Sequence, residues 1–303
     1  MTVEALKILI LERSVDLDIE FKRLFHGRGG CYDGWSHLTI DSIGDILSVA
    51  LYAPLDDERS FMQMLEELFN SKKWHSVILQ KRYEKTTPTE VLFGELPVDN
   101  IAVEDGIKIK LNLSSNQNSG FFPDMKLGHL FVKEHSDGKS VLNLFSYTCT
   151  FSLFALKGGA KKVVNVDMSK GALATGKENH RLNGLDMRSV QFMPYNILKS
   201  WSRIKKAGPY DLIIIDPPSF QRGSFEATKD YQKIIKRLPE LANQNCTVLS
   251  CLNSPELDTQ FIKDIFNELA PEFLFEKRLE NLETFPAIDN ERSLKNLIFT
   301  RSK

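Results

Sequence analysis

Cysteine is scarce in this sequence, and its spacing excludes two kinds of site. The 303 residues include four cysteines, Cys31, Cys149, Cys246 and Cys251, and no two of them form a C-x-x-C pair. Structural zinc sites gather thiolate and histidine ligands at short, regular spacings, so we predict no metal site. Four dispersed cysteines in a chain of this length do not form a disulfide framework either, and reduced thiols predict a cytoplasmic protein.

A long hydrophobic run is absent as well. The apolar residues near the N-terminus, Leu6 to Leu11, are interrupted by Lys7 and followed at once by Glu12 and Arg13. A helix that crosses a membrane needs about 20 consecutive apolar residues, and a secretory signal needs a cleavage pattern that this stretch lacks. We therefore predict no contact with a membrane.

Charge of one sign is missing too, because 39 Lys and Arg residues face 40 Asp and Glu residues and the formal net charge is −1. Nucleic-acid contact must therefore come from local patches. Two basic stretches are candidates, 72–85 (with Lys72, Lys73, Lys81, Arg82 and Lys85 for phosphate, and Trp74 and Tyr83 for stacking) and 229–237 (with Lys229, Lys233, Lys236 and Arg237). The alternative for the first stretch is a solvated rim around one buried strand.

Two domains are predicted, at 1–113 and 114–303. In the first part, strand-like stretches at 35–53, 76–82, 90–95 and 107–113 accompany one stretch with a helical period, 56–69. The Asp105-Gly106 pair is a strong hairpin signal. This pattern predicts a small α+β domain, a candidate for substrate recognition, and the polar residues 114–126 form the junction.

From residue 140 onward, strand-like and helical stretches alternate. Strands are predicted at 141–145, 162–167, 190–193, 210–216, 247–252, 273–279 and 296–301, and helices at 150–157, 170–182, 198–206, 230–242 and 256–269. Such alternation builds a mostly parallel sheet with helices on both faces. The predicted fold class is α/β, a doubly wound Rossmann-like sheet with a smaller N-terminal α+β domain.

Ligands of these sheets bind beyond the carboxyl ends of the strands, and the first such loop is 143–151 (NLFSYTCTF). It lacks the G-x-G-x-x-G pattern, since Ser146, Tyr147, Thr148 and Cys149 stand where glycines would. Backbone N–H groups at a helix N-terminus still suit a carboxylate or phosphate. The alternative is an ordinary turn between a strand and a helix.

The next two strand ends carry one polar residue each. Asp167 follows about 20 residues after the first loop, where an acid can accept hydrogen bonds from ribose hydroxyls. Its alternative role is to cap the following helix. Asn196 follows the third strand, where a polar side chain can meet an adenine amino group or else lie in solvent.

The fourth strand end reads Asp216-Pro217-Pro218-Ser219-Phe220 after an apolar strand. Proline fixes φ and has no N–H, so this turn is rigid and its carbonyl groups are exposed. It suits the amino or ring edge of a flat acceptor, on which Phe220 can stack. A turn without function is the weaker alternative.

Six segments occur together, in order and at consistent spacing: SGFFPDMK at 119–126, NLFSYTCTF at 143–151, VVNVDMS at 163–169, ENHRLN at 178–183, DPPSF at 216–220 and LSC at 249–251. With them the chain resembles bacterial class I methyltransferases that act on ribosomal RNA of the large subunit, in particular the 5-methylcytosine and 7-methylguanine enzymes. The resemblance implies S-adenosylmethionine as cofactor and an RNA base as substrate.

The resemblance also implies site residues. Those expected to bind the cofactor are Phe122, Asp124, Phe145, Ser146, Tyr147, Thr148, Asp167, Met168, Asn196 and Asp216, and those expected to bind the substrate are Pro217, Pro218, Ser219 and Phe220. The chain departs from the family pattern in having Lys126 for arginine, Cys149 for glycine and Asn196 for aspartate.

Two chemistries are consistent with these residues. Methylation of a pyrimidine at C5 needs a thiolate that adds to C6, and Cys251 would supply it unless it is a buried cysteine at a strand end. Methylation of nitrogen needs no covalent step, and Asp216 would then hold the acceptor. Both residues are predicted to be catalytic.

Three other functions are alternatives to an RNA methyltransferase. The first is a methyltransferase for a protein or a small molecule, which the near-neutral charge favours. The second is a catalytically silent module that uses the fold for binding. A dehydrogenase is a distant third, because the glycine fingerprint is absent.

Overall fold

The computed structural model describes residues 1–301 except 17, 85, 87, 88, 115–117, 219 and 222–224, together with the side chains of all of these but 220 and 221. The chain divides into two compact units. Unit 1 comprises Met1–Pro123 and Leu282–Ile288, and unit 2 comprises Asp124–Asn281 and Asp289–Lys303.

Unit 1 is an α+β unit, as its pattern predicts. A five-stranded sheet has the order β1 (Phe21–His26), β2 (Leu38–Ile43), β3 (Ile46–Leu51), β4 (Ser76–Lys81) and β5 (Thr89–Phe93), in which only β3 and β4 are parallel neighbours. Two helices, α1 (Val3–Arg13) and α2 (Glu58–Asn70), accompany it, and β6 (Asn100–Glu104) and β7 (Ile107–Leu111) form the expected hairpin.

One face of the unit 1 sheet is apolar because its strands alternate. Leu47, Val49 and Leu51 on β3 share a core with apolar residues of both helices. Helix α2 is held there by a stripe of four buried side chains, Phe61, Met64, Leu65 and Leu68, and its first turn is capped by Asp57, which accepts a 3.0 Å hydrogen bond from the Ser60 amide. The opposite face is more polar.

Unit 2 contains the doubly wound sheet that the sequence predicts. Its seven strands lie in the order β10 (Val190–Met193), β9 (Lys162–Val166), β8 (Ser140–Leu144), β11 (Tyr210–Ile215), β14 (Ala242–Leu252), β16 (Lys295–Arg301) and β15 (Phe273–Leu279). The first five are mutually parallel, whereas β16 runs antiparallel to both of its neighbours. The short strands β12 (Phe220–Gln221) and β13 (Phe225–Glu226) pair with each other.

Seven α-helices are described in unit 2: α3 (Lys126–Glu134), α4 (Thr150–Lys157), α5 (Lys170–Leu182), α6 (Trp201–Ala207), α7 (Ala227–Ile235), α8 (Leu238–Leu241) and α9 (Thr259–Leu269). Two buried apolar clusters lie on the sheet. The predicted α/β class and the alternation of strands and helices are confirmed.

Three details differ from the sequence prediction. Helix α3 begins at residue 126, the last residue of the predicted junction, and α1 occupies the N-terminal stretch for which the sequence predicts only that it is neither a membrane segment nor a secretory signal. The helix predicted at 230–242 is two helices, α7 and α8, with Pro239 in the first turn of the second. Proline is accepted at the start of a helix and interrupts a longer one, which explains the division.

Candidate active site

The carboxyl ends of five parallel strands lie along one edge of the unit 2 sheet. Val166 pairs with Leu144 on one side and Met193 on the other, and Ile215 pairs with Leu144 and Ser250. The residues that follow these positions are 145–149, 167, 194–196, 216–218 and 251 onward. The predicted strand-end residues therefore share one edge, the usual ligand site of such sheets.

The loop after β8 has an unusual backbone. Phe145, Tyr147 and Cys149 all have left-handed φ values, 59°, 46° and 66°, although none of them is glycine. Such a conformation costs about 1–3 kcal/mol for each non-glycine residue and persists where the surroundings enforce it. Alternation of left-handed residues turns successive N–H groups toward one concave surface, which binds anions. The loop thus has the geometry that glycines would allow, without glycines.

Hydrogen bonds hold this loop in place. The Cys149 amide donates to the Ser146 carbonyl at 2.6 Å, and the Ser146 amide donates to the Val166 carbonyl at 3.2 Å. The Asn179 side-chain amide donates to the Thr148 carbonyl at 3.1 Å. Ser146, Thr148 and Cys149 are buried, so the strained backbone is surrounded by protein on that side.

A chain of buried polar side chains joins the elements on either side of this loop. Asn143 on β8 donates to Asn165 on β9 at 2.9 Å, and Asn165 donates to the Ser152 hydroxyl on α4 at 3.0 Å. Ser152 is bonded to His180 on α5 at 2.9 Å, and burial lowers the pKa of that imidazole. Because buried polar groups are costly when unpaired, this network resists displacement of β8, β9, α4 and α5.

Asp167 joins the loop to the second strand end. One carboxylate oxygen accepts from the Tyr147 amide at 2.9 Å and the other from the Ser169 amide at 2.8 Å. The cap of α5 is the Ser169 hydroxyl, which accepts from the Ala172 amide at 3.2 Å, so Asp167 is not the helix cap. Each carboxylate oxygen keeps a second acceptor site for a ribose hydroxyl. The neighbouring Met168 is 48% exposed.

Asn196 carries a hydrogen-bond acceptor that is unpaired in the described part of the chain. The residue is half-buried, and its Oδ1 atom is buried without a hydrogen-bond partner among the residues that the structure describes. A buried acceptor left unpaired costs about 1–3 kcal/mol. An exocyclic amino group would satisfy it. The alternative of a solvated loop residue does not fit a buried oxygen.

Asp216 lies immediately after β11 and is half-buried. Burial, with a second contribution from the nearby carboxylate of Asp124, raises the pKa of its carboxyl group to about 7. Of the following turn, Pro217 is buried and Pro218 is exposed. Ser219 and the side chain of Phe220, both predicted to bind substrate, lie outside the described part of the chain.

Tyr231, on α7, is a site residue that the sequence prediction omitted. Its hydroxyl is fully buried and bonds with the Ser250 hydroxyl at 2.7 Å and the Cys251 carbonyl at 2.8 Å. It also packs edge-on against Phe225, which in turn contacts the Phe145 ring at 5.0 Å between centroids. A tyrosine on the apolar stripe of a helix needs a buried partner for its hydroxyl. The position of Tyr231 on such a stripe is the sequence signal that could have identified it.

Cys251 is the predicted catalytic residue whose surroundings oppose its role. Its side chain is 1% exposed and belongs to an apolar cluster that includes Ile214, Leu249 and Phe151. Burial raises the pKa of the thiol well above its usual value, and the negative charges of Asp216 and Asp124 raise it further. A nucleophilic cysteine needs the opposite environment, one that favours the thiolate. The geometry fits the alternative of a buried cysteine at a strand end.

The two residues predicted from the SGFFPDMK segment fall in different units. Asp124 begins unit 2 and is half-buried in a single helical turn, Pro123–Met125, from which its charge acts on Asp216 and Cys251. Phe122 belongs to unit 1 and is 42% exposed. Of these two residues, only Asp124 belongs to unit 2, which contains the strand-end edge.

Most of the basic residues considered for RNA binding have other partners. Trp74 is buried and donates to the Ser42 hydroxyl, and Lys73 donates to the Ser14 carbonyl. Ion pairs engage Lys81 with Glu58 and Glu90, Lys229 with Glu226, Lys233 with Asp230, and Arg237 with Glu240. Lys85 lies outside the described residues. Among the described residues of the two stretches, Lys72, Arg82, Tyr83 and Lys236 are not engaged in an ion pair.

Two kinds of feature, a metal-binding cluster and a membrane-spanning helix, are absent from the described residues. They contain no cluster of three or more His, Cys, Asp or Glu side chains suited to a metal ion. Within the same residues, no helix combines the length and apolar character required to span a bilayer.

Comparison with known proteins adds to this geometry. The sequence pattern of a family described as S-adenosylmethionine-dependent methyltransferase matches residues 22–300. Ribosomal RNA large subunit methyltransferase I of Aeromonas salmonicida is 36% identical over 195 residues, which cover 62% of this chain and 49% of that protein. Methyltransferase K/L of Shewanella sp. (strain MR-4) is 36% identical over 197 residues, 61% of this chain and 28% of that protein. The chain thus spans about half or less of the length of these relatives.

A solved structure has the same fold. It is the crystal structure of a methyltransferase complexed with SAH, with a TM-score of 0.87 and 23% sequence identity. The alignment covers 99% of this chain and 82% of that one. At this identity the match bears on the fold alone.

Proposed function

Because this chain belongs to the S-adenosylmethionine-dependent methyltransferase family, we propose that it methylates a base of RNA, with nitrogen as the acceptor atom. The observation that carries the proposal is Asp216, a carboxyl group at the end of β11 whose pKa is about 7. It is next to the family's cofactor-binding edge and precedes the rigid Pro217-Pro218 turn.

The residues of the strand-end edge fit S-adenosylmethionine, which supplies an electrophilic methyl group when bound. The concave backbone of 145–149 suits the carboxylate of its methionine portion. Asp167 has free acceptor sites for the ribose hydroxyls, and the unpaired Oδ1 atom of Asn196 suits the adenine amino group. We assign Ser146, Tyr147 and Thr148 to the first of these contacts.

Asp216 has two tasks in the proposed reaction. Its carboxylate accepts a hydrogen bond from the acceptor nitrogen, which orients that atom and increases its electron density. It then takes the proton that the nitrogen loses as the new N–C bond forms and the bond between the methyl group and sulfur breaks, which leaves a neutral thioether. A carboxyl group with a pKa near 7 suits both tasks, since it is sufficiently basic to accept the proton and is ionised in a large fraction of molecules at neutral pH.

Nitrogen is favoured over carbon because of Cys251. A C5 reaction requires a thiolate, and this thiol is buried among apolar side chains with two carboxyl groups nearby. A thiolate there would face desolvation and like-charge repulsion together. An N-acceptor needs only placement and a proton acceptor, and Asp216 offers both.

RNA is favoured as the substrate by the relatives that the chain matches. Methyltransferases I and K/L are named for ribosomal RNA of the large subunit, and the segments that the chain shares with this family include the acceptor turn. We include a cytoplasmic location in the proposal, since bacterial ribosomal RNA is made and modified there.

The experiment is methyl transfer from labelled S-adenosylmethionine to RNA, followed by nuclease digestion and identification of the labelled nucleoside. Ribosomal RNA from cells that lack the protein is the substrate, and a total-protein extract from the same cells is the parallel sample. A labelled N-methyl nucleoside supports the proposal. A labelled 5-methylcytidine contradicts the choice of nitrogen, and label in protein alone contradicts the choice of RNA. The Asp216→Asn variant is the control for label that does not depend on the site.

A further inference from the structure

Arg28 and Arg82, in unit 1, place their guanidinium groups on one aromatic ring. The Cζ atom of Arg28 lies 4.0 Å from the centroid of Tyr52 and that of Arg82 lies 5.4 Å from it. Tyr52 directly follows β3 and Arg82 directly follows the parallel strand β4, and the Arg82 amide donates to the Leu51 carbonyl at 2.7 Å. The position of Arg82 against the Tyr52 ring therefore depends on the ends of two neighbouring strands.

These two arginines differ from the other basic residues of the unit 1 sheet. Arg23 is paired with Asp41, and Lys81 is paired with Glu58 and Glu90. Within the described residues, neither Arg28 nor Arg82 has a carboxylate within ion-pair distance. Besides its contact with Tyr52, the Arg82 side chain donates a hydrogen bond from Nε to the Gln80 side-chain oxygen at 2.6 Å. Two cations held together without an anion suit an anionic ligand.

The charge of Arg28 also acts on a neighbouring histidine. The pKa of His26, at the end of β1, is lowered to about 3 by burial and then by the charges of Arg23 and Arg28. An aromatic group next to Arg82 in the chain is open to a ligand, since Tyr83 is 40% exposed.

We propose that Arg28, Tyr52, Arg82 and Tyr83 form a binding surface for single-stranded RNA, which we call the arginine–tyrosine surface. Guanidinium groups bind phosphate oxygens and stack on bases. The Tyr52 ring positions both guanidinium groups, and the exposed Tyr83 ring can stack on a base of any sequence. An acidic protein segment would use the two charges but not the rings. This inference rests on the proposed function, since it names the part of unit 1 that holds the RNA.

Binding of a fluorescein-labelled single-stranded RNA oligonucleotide to the full chain, measured by anisotropy over a series of salt concentrations, tests the proposal. The variants are Arg28→Gln combined with Arg82→Gln, and Tyr52→Leu. The matched control is Arg59→Gln combined with Lys108→Gln, which removes two exposed charges elsewhere in unit 1. Thermal unfolding and affinity for S-adenosylhomocysteine monitor folding of each variant.

The double arginine variant is expected to bind RNA more weakly and to reduce the slope of log affinity against log salt by about 1.4, for two lost phosphate contacts. Tyr52→Leu is expected to lose about fivefold or more in affinity with a smaller change in slope. The control should match wild type. Equal binding by all variants overturns the proposal, and so does equal competition by poly-glutamate and by unlabelled RNA.

The same proteins separate this inference from the proposed function. If wild type binds RNA through Arg28 and Arg82 but methylates none, the arginine–tyrosine surface stands and the proposed function fails. If RNA is methylated and the arginine variants keep wild-type binding and KM, the surface is overturned and the proposed function stands.

Discussion

The thiol of Cys149 fills the space that a side chain at Gly176 would need. A Cβ atom at position 176 would lie 2.5 Å from the Cys149 sulfur, 3.1 Å from its Cβ and 3.3 Å from the Thr148 carbonyl oxygen. In this contact the loop carries the larger residue and α5 carries the smaller one. The two positions form one packing unit.

Gly176→Ala is therefore expected to destabilise the protein by about 1–3 kcal/mol, because it overpacks a buried contact. In a Cys149→Gly background the same change should cost little or even stabilise, since alanine is the better helix former by about 1 kcal/mol. Urea unfolding of the four proteins measures the coupling. An equal loss from Gly176→Ala in both backgrounds would show that the two residues do not compete for space.

Asn196→Ala is expected to weaken binding of S-adenosylhomocysteine about tenfold, the effect of losing one buried hydrogen bond. Asn196→Asp should bind at least as tightly as wild type, because a carboxylate is the stronger acceptor for an amino group. Isothermal titration calorimetry measures both, and Asn267→Ala, at an exposed position on α9, is the control. Unchanged affinity in Asn196→Ala would remove this residue from the adenine contact.

Methyl transfer should increase with pH through about 7, the pKa of Asp216, and then level off. The carboxylate is the proton acceptor, so the fraction of active enzyme follows its ionisation. Asp216→Asn should lower kcat by about 10²–10⁴. Single-turnover rates between pH 5.5 and 9, taken roughly every half unit around that pKa, give the profile. A wild-type rate that does not change over this range would contradict the role of Asp216.

The same variant should be more stable than wild type in alkaline solution. The pKa of Asp216 is raised in the folded state, so folding loses stability as pH rises from the ordinary carboxyl pKa to about 7. Asparagine removes that penalty, and we expect Tm at pH 8 to rise by about 2–4 °C. Near pH 4 the two proteins should unfold together, apart from small packing effects. Scanning calorimetry at both pH values compares them.

Cys251→Ala is expected to retain most of its methyl transfer, in accord with an acceptor nitrogen and against the catalytic role that the sequence suggested. Its stability should fall by about 1 kcal/mol, because a small buried group is removed. Turnover with RNA and affinity for S-adenosylhomocysteine are measured together. Complete loss of turnover with intact cofactor binding would instead support the covalent C5 mechanism.

Tyr231→Phe is expected to lower kcat. The tyrosine hydroxyl links Ser250 and the Cys251 carbonyl to α7. Without it, the ends of β11 and β14 are no longer held to that helix. Tyr210→Phe is the control, since that buried hydroxyl bonds to the Ile204 carbonyl at the opposite end of β11. Both should lose about 1 kcal/mol of stability for the lost hydrogen bond. Equal activity in the two variants would assign Tyr231 to stability alone.

The sequence was sufficient for the doubly wound sheet, because hydrophobic strands and amphipathic helices alternate from residue 140 onward. Strand β10 and helices α4 and α5 were predicted with their observed bounds. Local patterns do not reveal which strands become neighbours, and so the antiparallel position of β16 between β14 and β15 could not be derived. Helix α3 was missed because its stripe begins within a segment dominated by polar residues.

The candidate site was predicted less completely than the fold. Asp167, Asn196 and Asp216 were found because each follows a recognisable strand. Asp124 came from the resemblance, and its electrostatic effect on Asp216 depends on packing that no local pattern encodes. The left-handed backbone at 145, 147 and 149 was also invisible, since left-handed φ is usually inferred from glycine and this loop has none. Tertiary contacts, rather than residue type, impose it.

The central position of β16 also affects the order of events during synthesis. Its residues, 295–301, complete the hydrogen bonds of both β14 and β15, which precede it in the chain. Until these residues leave the ribosome, β14 has an open edge with apolar side chains such as Val248 and Leu249. Exposed strand edges are sites of aggregation in nascent chains. An arrest of synthesis before residue 295 would thus leave the β14 edge unpaired.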